Sequence, residues 1–281
     1  MEKEMARELY MPTSLVVTGD GVNCEKGTAN ALRLAGFKTK TITIYELEDR
    51  DDDINNYDLA ALVGGFSGGD DLGAGTVQAT KFMKFRDSLY RFVEDKNKLM
   101  IGICNGAQTM MKLGLFSEDY KTRDTTLTYN DRGSFYCGWI KVKVNKDSPS
   151  VFTKGVDRMD LIVRHGEGRF DVLDNSVLER IKSNNLDVMH YIDDKGDVAV
   201  PGSAYNPNGS MDGIAGVCDR SGRIFALMPH PETSWSVLNH PQYTRMREAM
   251  KRSYMVFEDY DGDGLAVFRN AGKYLSKIRQ G

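Results

Sequence analysis

Short apolar runs separated by amphipathic stretches fill the first 115 residues of the chain. These runs predict buried strands at residues 15–17, 39–45, 59–63 and 99–103. Between them, apolar residues recur at the spacing of one helix face, which predicts helices at residues 25–35 and 77–94. Because strands and helices alternate, we expect right-handed βαβ units around a parallel sheet.

The pattern changes after residue 125, where strand-like runs follow one another with short turns. The runs are residues 135–144, 161–164, 188–192, 213–218 and 223–228. Two further amphipathic stretches, 242–257 and 265–279, predict extra helices at the C-terminus. The prediction is therefore a single α/β domain over residues 14–281, with a mixed, mostly parallel sheet and helices on both faces. Residues 1–13 are expected to form a flexible N-terminal segment.

Composition narrows the class of protein. With 281 residues, 41% of them hydrophobic, the chain is long enough to bury a substantial core. The formal net charge of −3 argues against binding to nucleic acid or to a membrane surface. No apolar run approaches the ~20 residues of a membrane span, and the N-terminus lacks the apolar segment of a secretory signal.

The four cysteines are far apart and form no C-x-x-C pair, which argues against a zinc site or a disulfide framework. A reducing, cytoplasmic location is therefore expected, and no metal site is predicted. Cys24, Cys137 and Cys218 are interpreted as small buried hydrophobic residues.

Cys104 differs from the other cysteines because of its neighbours. It lies in Gly-Ile-Cys-Asn-Gly, residues 102–106, between a predicted strand and a predicted helix. A reactive residue flanked by glycines at such a junction is typical of a nucleophile elbow, in which small neighbours relieve a strained turn. The turn also places the thiol at a helix N-terminus, which favours the thiolate.

A nucleophilic cysteine needs a base and a group that orients the base. His230 follows an apolar strand, lies between two prolines and precedes Glu232 by two residues. Side chains two apart in extended chain share a face, so Cys104, His230 and Glu232 form a candidate triad. The backbone N–H of Asn105 and the loop of Gly64, Gly65 and Phe66 are candidate oxyanion donors.

The segments 102–108 and 228–232 together resemble the class I (triad) glutamine amidotransferases, which have a flavodoxin-like fold. Further segments resemble, within that class, the glutaminase components of phosphoribosylformylglycinamidine synthases. They are residues 21–25, 64–70, 127–130, 165–170 and 206–210.

This resemblance implies a chemistry and a set of partners. Cys104 would attack the side-chain amide of L-glutamine to form a glutamyl thioester, with His230 as acid and base and Glu232 orienting it. Gln108, Gly65, Phe66, Asn105 and Asn130 would bind substrate. The ammonia would pass to an ATP-dependent synthetase subunit of purine biosynthesis, and the family allows for a small bridging subunit. No cofactor is expected in this chain, which has no P-loop sequence; ATP and Mg²⁺ would bind the synthetase.

Two segments depart from the family pattern. Residues 131–138 lack the arginines and glutamate usual after Asn130, and residues 233–264 are interpreted as an insertion. Two alternative functions therefore stay open: an independent cysteine amidohydrolase of the same fold, and a non-catalytic regulatory subunit. His165, in a glycine-rich turn, is interpreted as a residue that shapes the site or the partner interface.

Overall fold

Nine strands form one mixed sheet in the computed structural model, which describes residues 10–49, 52–253 and 261–280. A separate pair of strands forms a second, two-stranded sheet. In chain order the strands are β1 (Thr13–Thr18), β2 (Lys38–Thr43), β3 (Leu59–Leu62), β4 (Leu99–Ile103), β5 (Thr125–Thr128), β6 (Tyr136–Val144), β7 (Arg158–His165), β8 (Arg169–Val172), β9 (Asp187–Ile192), β10 (Ile214–Cys218) and β11 (Ile224–Leu227).

Eight α-helices accompany these strands in the described part of the chain. They are α1 (Glu25–Leu34), α2 (Ile44–Glu48), α3 (Thr76–Phe82), α4 (Arg86–Glu94), α5 (Asn105–Lys112), α6 (Asn175–Ser183), α7 (Tyr243–Arg252) and α8 (Leu265–Gln280).

The large sheet has the order β2-β1-β3-β4-β11-β10-β9-β6-β7. The first five of these strands are parallel, and the last four continue the sheet with antiparallel pairing. The chain reverses its direction across the sheet after β2. Because βαβ crossovers are right-handed, α1 lies on one face and α3 and α4 on the other. The predicted α/β fold is thus confirmed, including the mixed sheet.

The core is the central parallel part of the large sheet. Strands β3, β4 and β11 are buried along their whole length, as expected for strands covered on both faces. Helix α8 packs against α1 and against the turn of residues 151–153. Its buried apolar side chains recur at helical spacing: Leu265, Val267, Phe268, Ala271 and Leu275. The predicted C-terminal helix is therefore part of the core.

Three predicted elements differ from the structure. The predicted strand at 39–45 ends at Thr43, because Thr43 and Glu46 form a capping box that starts α2. The predicted helix at 77–94 is interrupted by a 3₁₀ turn, where Phe85 has φ −124° and ψ 34°, outside the helical region. The predicted helix at 242–257 is α7, which ends at Arg252, while residues 254–260 lie outside the described residues.

Strands β5 and β8 and helix α6 have no counterpart among the predicted elements. β5 pairs only with β8, and both have four residues with polar side chains interspersed. The predicted N-terminal segment lies largely outside the described residues, and the boundaries of the predicted insertion at 233–264 stay a prediction. Within the described ranges, none of the helices is both long enough and apolar enough to cross a membrane.

Candidate active site

Cys104 occupies a strained turn between β4 and α5. Its φ is +52° and its ψ is −109°, in the left-handed half of conformational space that side chains other than glycine avoid. A Cβ on Gly102 would lie 2.3 Å from the Met110 sulfur, and one on Gly106 would lie 1.9 Å from the carbonyl oxygen of Leu62. Both glycines are therefore required for the turn, and the predicted elbow geometry is confirmed.

His230 and Glu232 lie beside the elbow, just beyond the end of β11. The His230 backbone N–H donates to the carbonyl of Ile162 on β7 over 2.8 Å, which fixes the segment against the sheet. His230 Nδ1 is 2.5 Å from Glu232 Oε1, and both side chains are buried, at 2% and 1% exposure. A charge-assisted hydrogen bond between buried groups holds the imidazole in one orientation.

The imidazole is also close to the thiol. A Cβ on Gly64 would lie 2.8 Å from His230 Cε1 and 3.5 Å from Cys104 Cβ, so both side chains pack close to Gly64. Burial alone lowers the pKa of His230, but the charges of Glu232 and Cys104 outweigh burial and hold it well above its usual value. The surroundings therefore favour the imidazolium form of His230 beside the Cys104 side chain.

A cavity of about 310 Å³ opens next to Cys104. Four of the predicted substrate-binding residues line it: Gly65, Phe66, Gln108 and Asn130. The fifth, Asn105, is fully buried behind it, and its side chain accepts from Ser67 N and donates to Asp70 and Gln108.

Asn130 shapes the cavity, but its side-chain amide is already engaged in hydrogen bonds within the protein. Its side chain donates to the carbonyls of Ser134 and His165 and accepts from the Gly168 N–H at 3.0 Å. The same oxygen lies 3.1 Å from His165 Nδ1, and burial lowers the pKa of His165 to about 3, so that histidine is neutral. The interpretation that His165 shapes the site agrees with these contacts.

The two candidate sources of oxyanion donors differ in whether a backbone N–H group is available. Asn105 begins α5, so its N–H has no partner within the helix. The Phe66 N–H, in contrast, donates to the Gly21 carbonyl over 2.8 Å and is unavailable in this conformation. Gly65, with φ +152°, presses so closely against Val22 that a Cβ would lie 2.6 Å from the Val22 Cα.

Two residues near the triad were not predicted as site residues. Arg164 Nη2 lies 3.2 Å from His230 Nδ1, 3.8 Å from Glu232 Oε1 and 3.7 Å from the sulfur of Cys24. Cys24 is partly exposed, which corrects its interpretation as a buried hydrophobic residue. Cys137 is exposed, so that interpretation is also wrong for it, whereas Cys218 is buried as predicted.

Cys24, His230 and Glu232 bring three possible metal ligands within 4.8 Å of one another. The guanidinium of Arg164 borders the same atoms, and a positive charge there opposes a cation. The arrangement therefore suits proton transfer at a thiol better than metal binding.

Asp70 and Glu167 also line the cavity, although neither was predicted as a site residue. Both lie in glycine-rich segments, 64–70 and 165–170, that the resemblance had already singled out. An acidic residue within such a segment is the sequence signal that could have found them. Cys24 lies in segment 21–25, which the resemblance also singled out, whereas Arg164 carries no comparable signal because its importance depends on the packing of β7 against the triad.

Comparison with known proteins agrees with this geometry. The CobB/CobQ-like glutamine amidotransferase domain matches residues 11–275. The chain is 39% identical to the phosphoribosylformylglycinamidine synthase subunit PurQ of Methanococcus maripaludis, covering 95% of this chain and 98% of that one. It is also 39% identical to the PurQ subunit of Dehalococcoides mccartyi, over 94% of this chain and 98% of the other.

Among solved structures, PurLQS from Thermotoga maritima is similar with a TM-score of 0.66 at 28% identity, covering 95% of this chain and all of that one. These similarities confirm the family resemblance read from the sequence motifs. The chain belongs to the PurQ family of glutamine amidotransferase subunits.

Proposed function

We propose that this chain is the glutaminase subunit of a phosphoribosylformylglycinamidine synthase, in which it releases ammonia from L-glutamine. The observation that carries the proposal is the buried His230–Glu232 pair beside the strained Cys104, at the wall of a cavity. The names of the PurQ relatives support the same assignment.

The proposed reaction has two halves. The Cys104 thiolate attacks the side-chain amide carbon of glutamine, and the C–N bond breaks as the His230 imidazolium gives its proton to the departing ammonia. His230 then takes a proton from water, which attacks the thioester carbon. The C–S bond breaks, glutamate leaves and the thiolate returns. Glu232 acts on His230 alone, by holding its Nδ1–H and stabilising the imidazolium.

The surroundings of Cys104 suit the tetrahedral intermediates. The Asn105 N–H at the start of α5 is the donor nearest in sequence to the reacting atoms, and the helix dipole adds to it. Gln108 lies one turn further along α5 and reaches the cavity, where Asn105 Nδ2 holds its Oε1 over 3.1 Å. Gly65, Phe66 and Asn130 form other parts of the cavity wall.

The partner of this reaction is a synthetase subunit that uses the ammonia, and the PurLQS assembly supports a multi-subunit enzyme. ATP and Mg²⁺ belong to that partner, since the sequence has no P-loop. A small bridging subunit is compatible with the same assembly. A reducing cytoplasm suits the chain, whose four cysteines are all free thiols.

The test is a Cys104→Ala variant purified with its synthetase partner. We expect it to lose glutamine-dependent amidine synthesis while keeping ammonia-dependent synthesis at the wild-type rate. Cys137→Ala is the matched control, because Cys137 is an exposed thiol outside the cavity lining. Glutamine hydrolysis by Cys104→Ala would overturn the assignment of the nucleophile.

A further inference from the structure

Two acidic residues line the cavity that contains Cys104. Asp70 lies in the loop after β3, and Glu167 lies in the loop after β7, so that two different strand ends bring them to the same space. Neither side chain has an ion-pair partner among the described residues. The lining thus carries two acidic side chains and one basic one, Arg164, and Arg164 is placed at His230 and Glu232.

Hydrogen bonds tie the Asp70 carboxylate and the Glu167 backbone to α5, the helix that follows the nucleophile. Asn105 Nδ2 lies 3.2 Å from Asp70 Oδ1 and 3.1 Å from Gln108 Oε1, and Gln108 Nε2 donates to the carbonyl oxygen of Glu167. The Glu167 carboxylate accepts from the Ala74 N–H at 3.2–3.3 Å. The Asp70 carboxylate is thus positioned by α5, and the Glu167 carboxylate by the turn that precedes α3.

The position of Asp70 is unfavourable for the fold. It follows Gly68 (φ +61°) and Gly69 (φ +71°) and itself has φ +56°, so that three successive residues are left-handed. Burial and the charge of Glu167 raise the pKa of Asp70 to about 6. Backbone strain and repulsion between like charges are common at residues that bind a ligand.

We propose that Asp70 and Glu167 bind the α-ammonium group of the glutamine substrate. The inference rests on the proposed function, which places the side-chain amide of glutamine at Cys104 and its α-ammonium and α-carboxylate groups elsewhere in the same cavity. A single cation between two carboxylates relieves their repulsion, and its three N–H donors suit two acceptors. Asp70 and Glu167 would then make the site select an α-amino acid over a simple amide.

Glutaramate tests this directly, because it has the carbon chain, side-chain amide and carboxylate of glutamine but no α-ammonium. The enzyme is used in complex with its synthetase, and kcat and KM are measured for both substrates. We expect the wild type to prefer glutamine by at least about 100-fold in kcat/KM. In Asp70→Asn, kcat/KM for glutamine falls at least about tenfold, mainly through KM, while the value for glutaramate stays within about twofold.

Glu167→Gln is the second variant and is expected to behave in the same way, so that the test does not depend on the folding of one protein. Asp71→Asn, which changes the exposed acidic neighbour of Asp70, is the control and should leave the preference unchanged. An equal loss for both substrates would overturn the inference, since it would indicate a structural role. If the wild-type complex hydrolyses no glutamine at all, the proposed function itself fails.

Discussion

Replacing Gly64 with alanine tests the packing of the candidate triad. Gly64 ends the extended segment after β3, and its carbonyl accepts from the N–H groups of Asn23 and Cys24 at 3.2 and 3.1 Å. A methyl group at Gly64 would lie 2.8 Å from His230 Cε1 and 3.0 Å from the Cys24 sulfur. The backbone at Gly64 cannot retreat without losing these hydrogen bonds, so the imidazole must move.

The size of the movement follows from the contact distance. Ordinary contact begins at 3.4 Å, so the imidazole must shift by about 0.6 Å, the difference between 3.4 and 2.8 Å. A misplacement of 1 Å can cost about 100-fold in rate, and we therefore expect Gly64→Ala to lower kcat by roughly tenfold or more. The Glu232 hydrogen bond opposes the shift, so part of the effect will be a lower free energy of unfolding.

Steady-state glutamine hydrolysis and thermal unfolding of the complex would measure the two effects. Gly27→Ala is the matched control, because its methyl group would lie 3.5 Å from Glu232 Cγ, an ordinary contact, within α1. That variant should keep full activity and gain about 1 kcal/mol of helix propensity. A Gly64→Ala enzyme with kcat within twofold of the wild type would refute the proposed placement of His230.

Three further predictions concern charge. Glu232→Gln removes the charge that raises the pKa of His230, so the alkaline limb of the pH profile of kcat should move to lower pH. The value of kcat should fall by roughly 10- to 150-fold, equivalent to about 1.5–3 kcal/mol. An alkaline limb at the wild-type pH would contradict this prediction. Arg164→Met removes a cation 3.2 Å from His230 Nδ1, so the same limb should move to higher pH, whereas Arg164→Lys should move it less. Because the pKa of Asp70 is raised to about 6, ionisation of this carboxyl lowers the free energy of unfolding progressively as the pH rises from about 4 to 6. Asp70→Asn should therefore raise the melting temperature at pH 8 but not at pH 3. An equal gain at both pH values would be inconsistent with the charge argument.

The sequence predicted those parts of the site that depend on local geometry. The elbow at Cys104 follows from two glycines at a strand–helix junction, and the His230–Glu232 pair follows from their two-residue spacing after a strand. Each of these signals lies within a few residues of chain. Local steric and hydrogen-bonding constraints therefore suffice to predict them.

The parts that were missed depend on contacts between distant segments. Arg164 reaches the triad because β7 pairs with the His230 segment, a contact across 66 residues. Strands β5 and β8 pair with each other and pack on α5, α6 and the turn of residues 211–213. Their four-residue runs carry no periodic signal strong enough to predict them. Tertiary contacts, rather than local preference, determine these elements.

The central claim is that Cys104 carries a glutamyl thioester during turnover. Acid quenching of the complex shortly after mixing with L-glutamine, followed by peptide mass spectrometry, measures this adduct directly. We predict one glutamyl group on the peptide containing Cys104 and none in Cys104→Ala. Release of glutamate with the adduct on Cys24, or with no adduct on any cysteine at any quench time, would contradict the account.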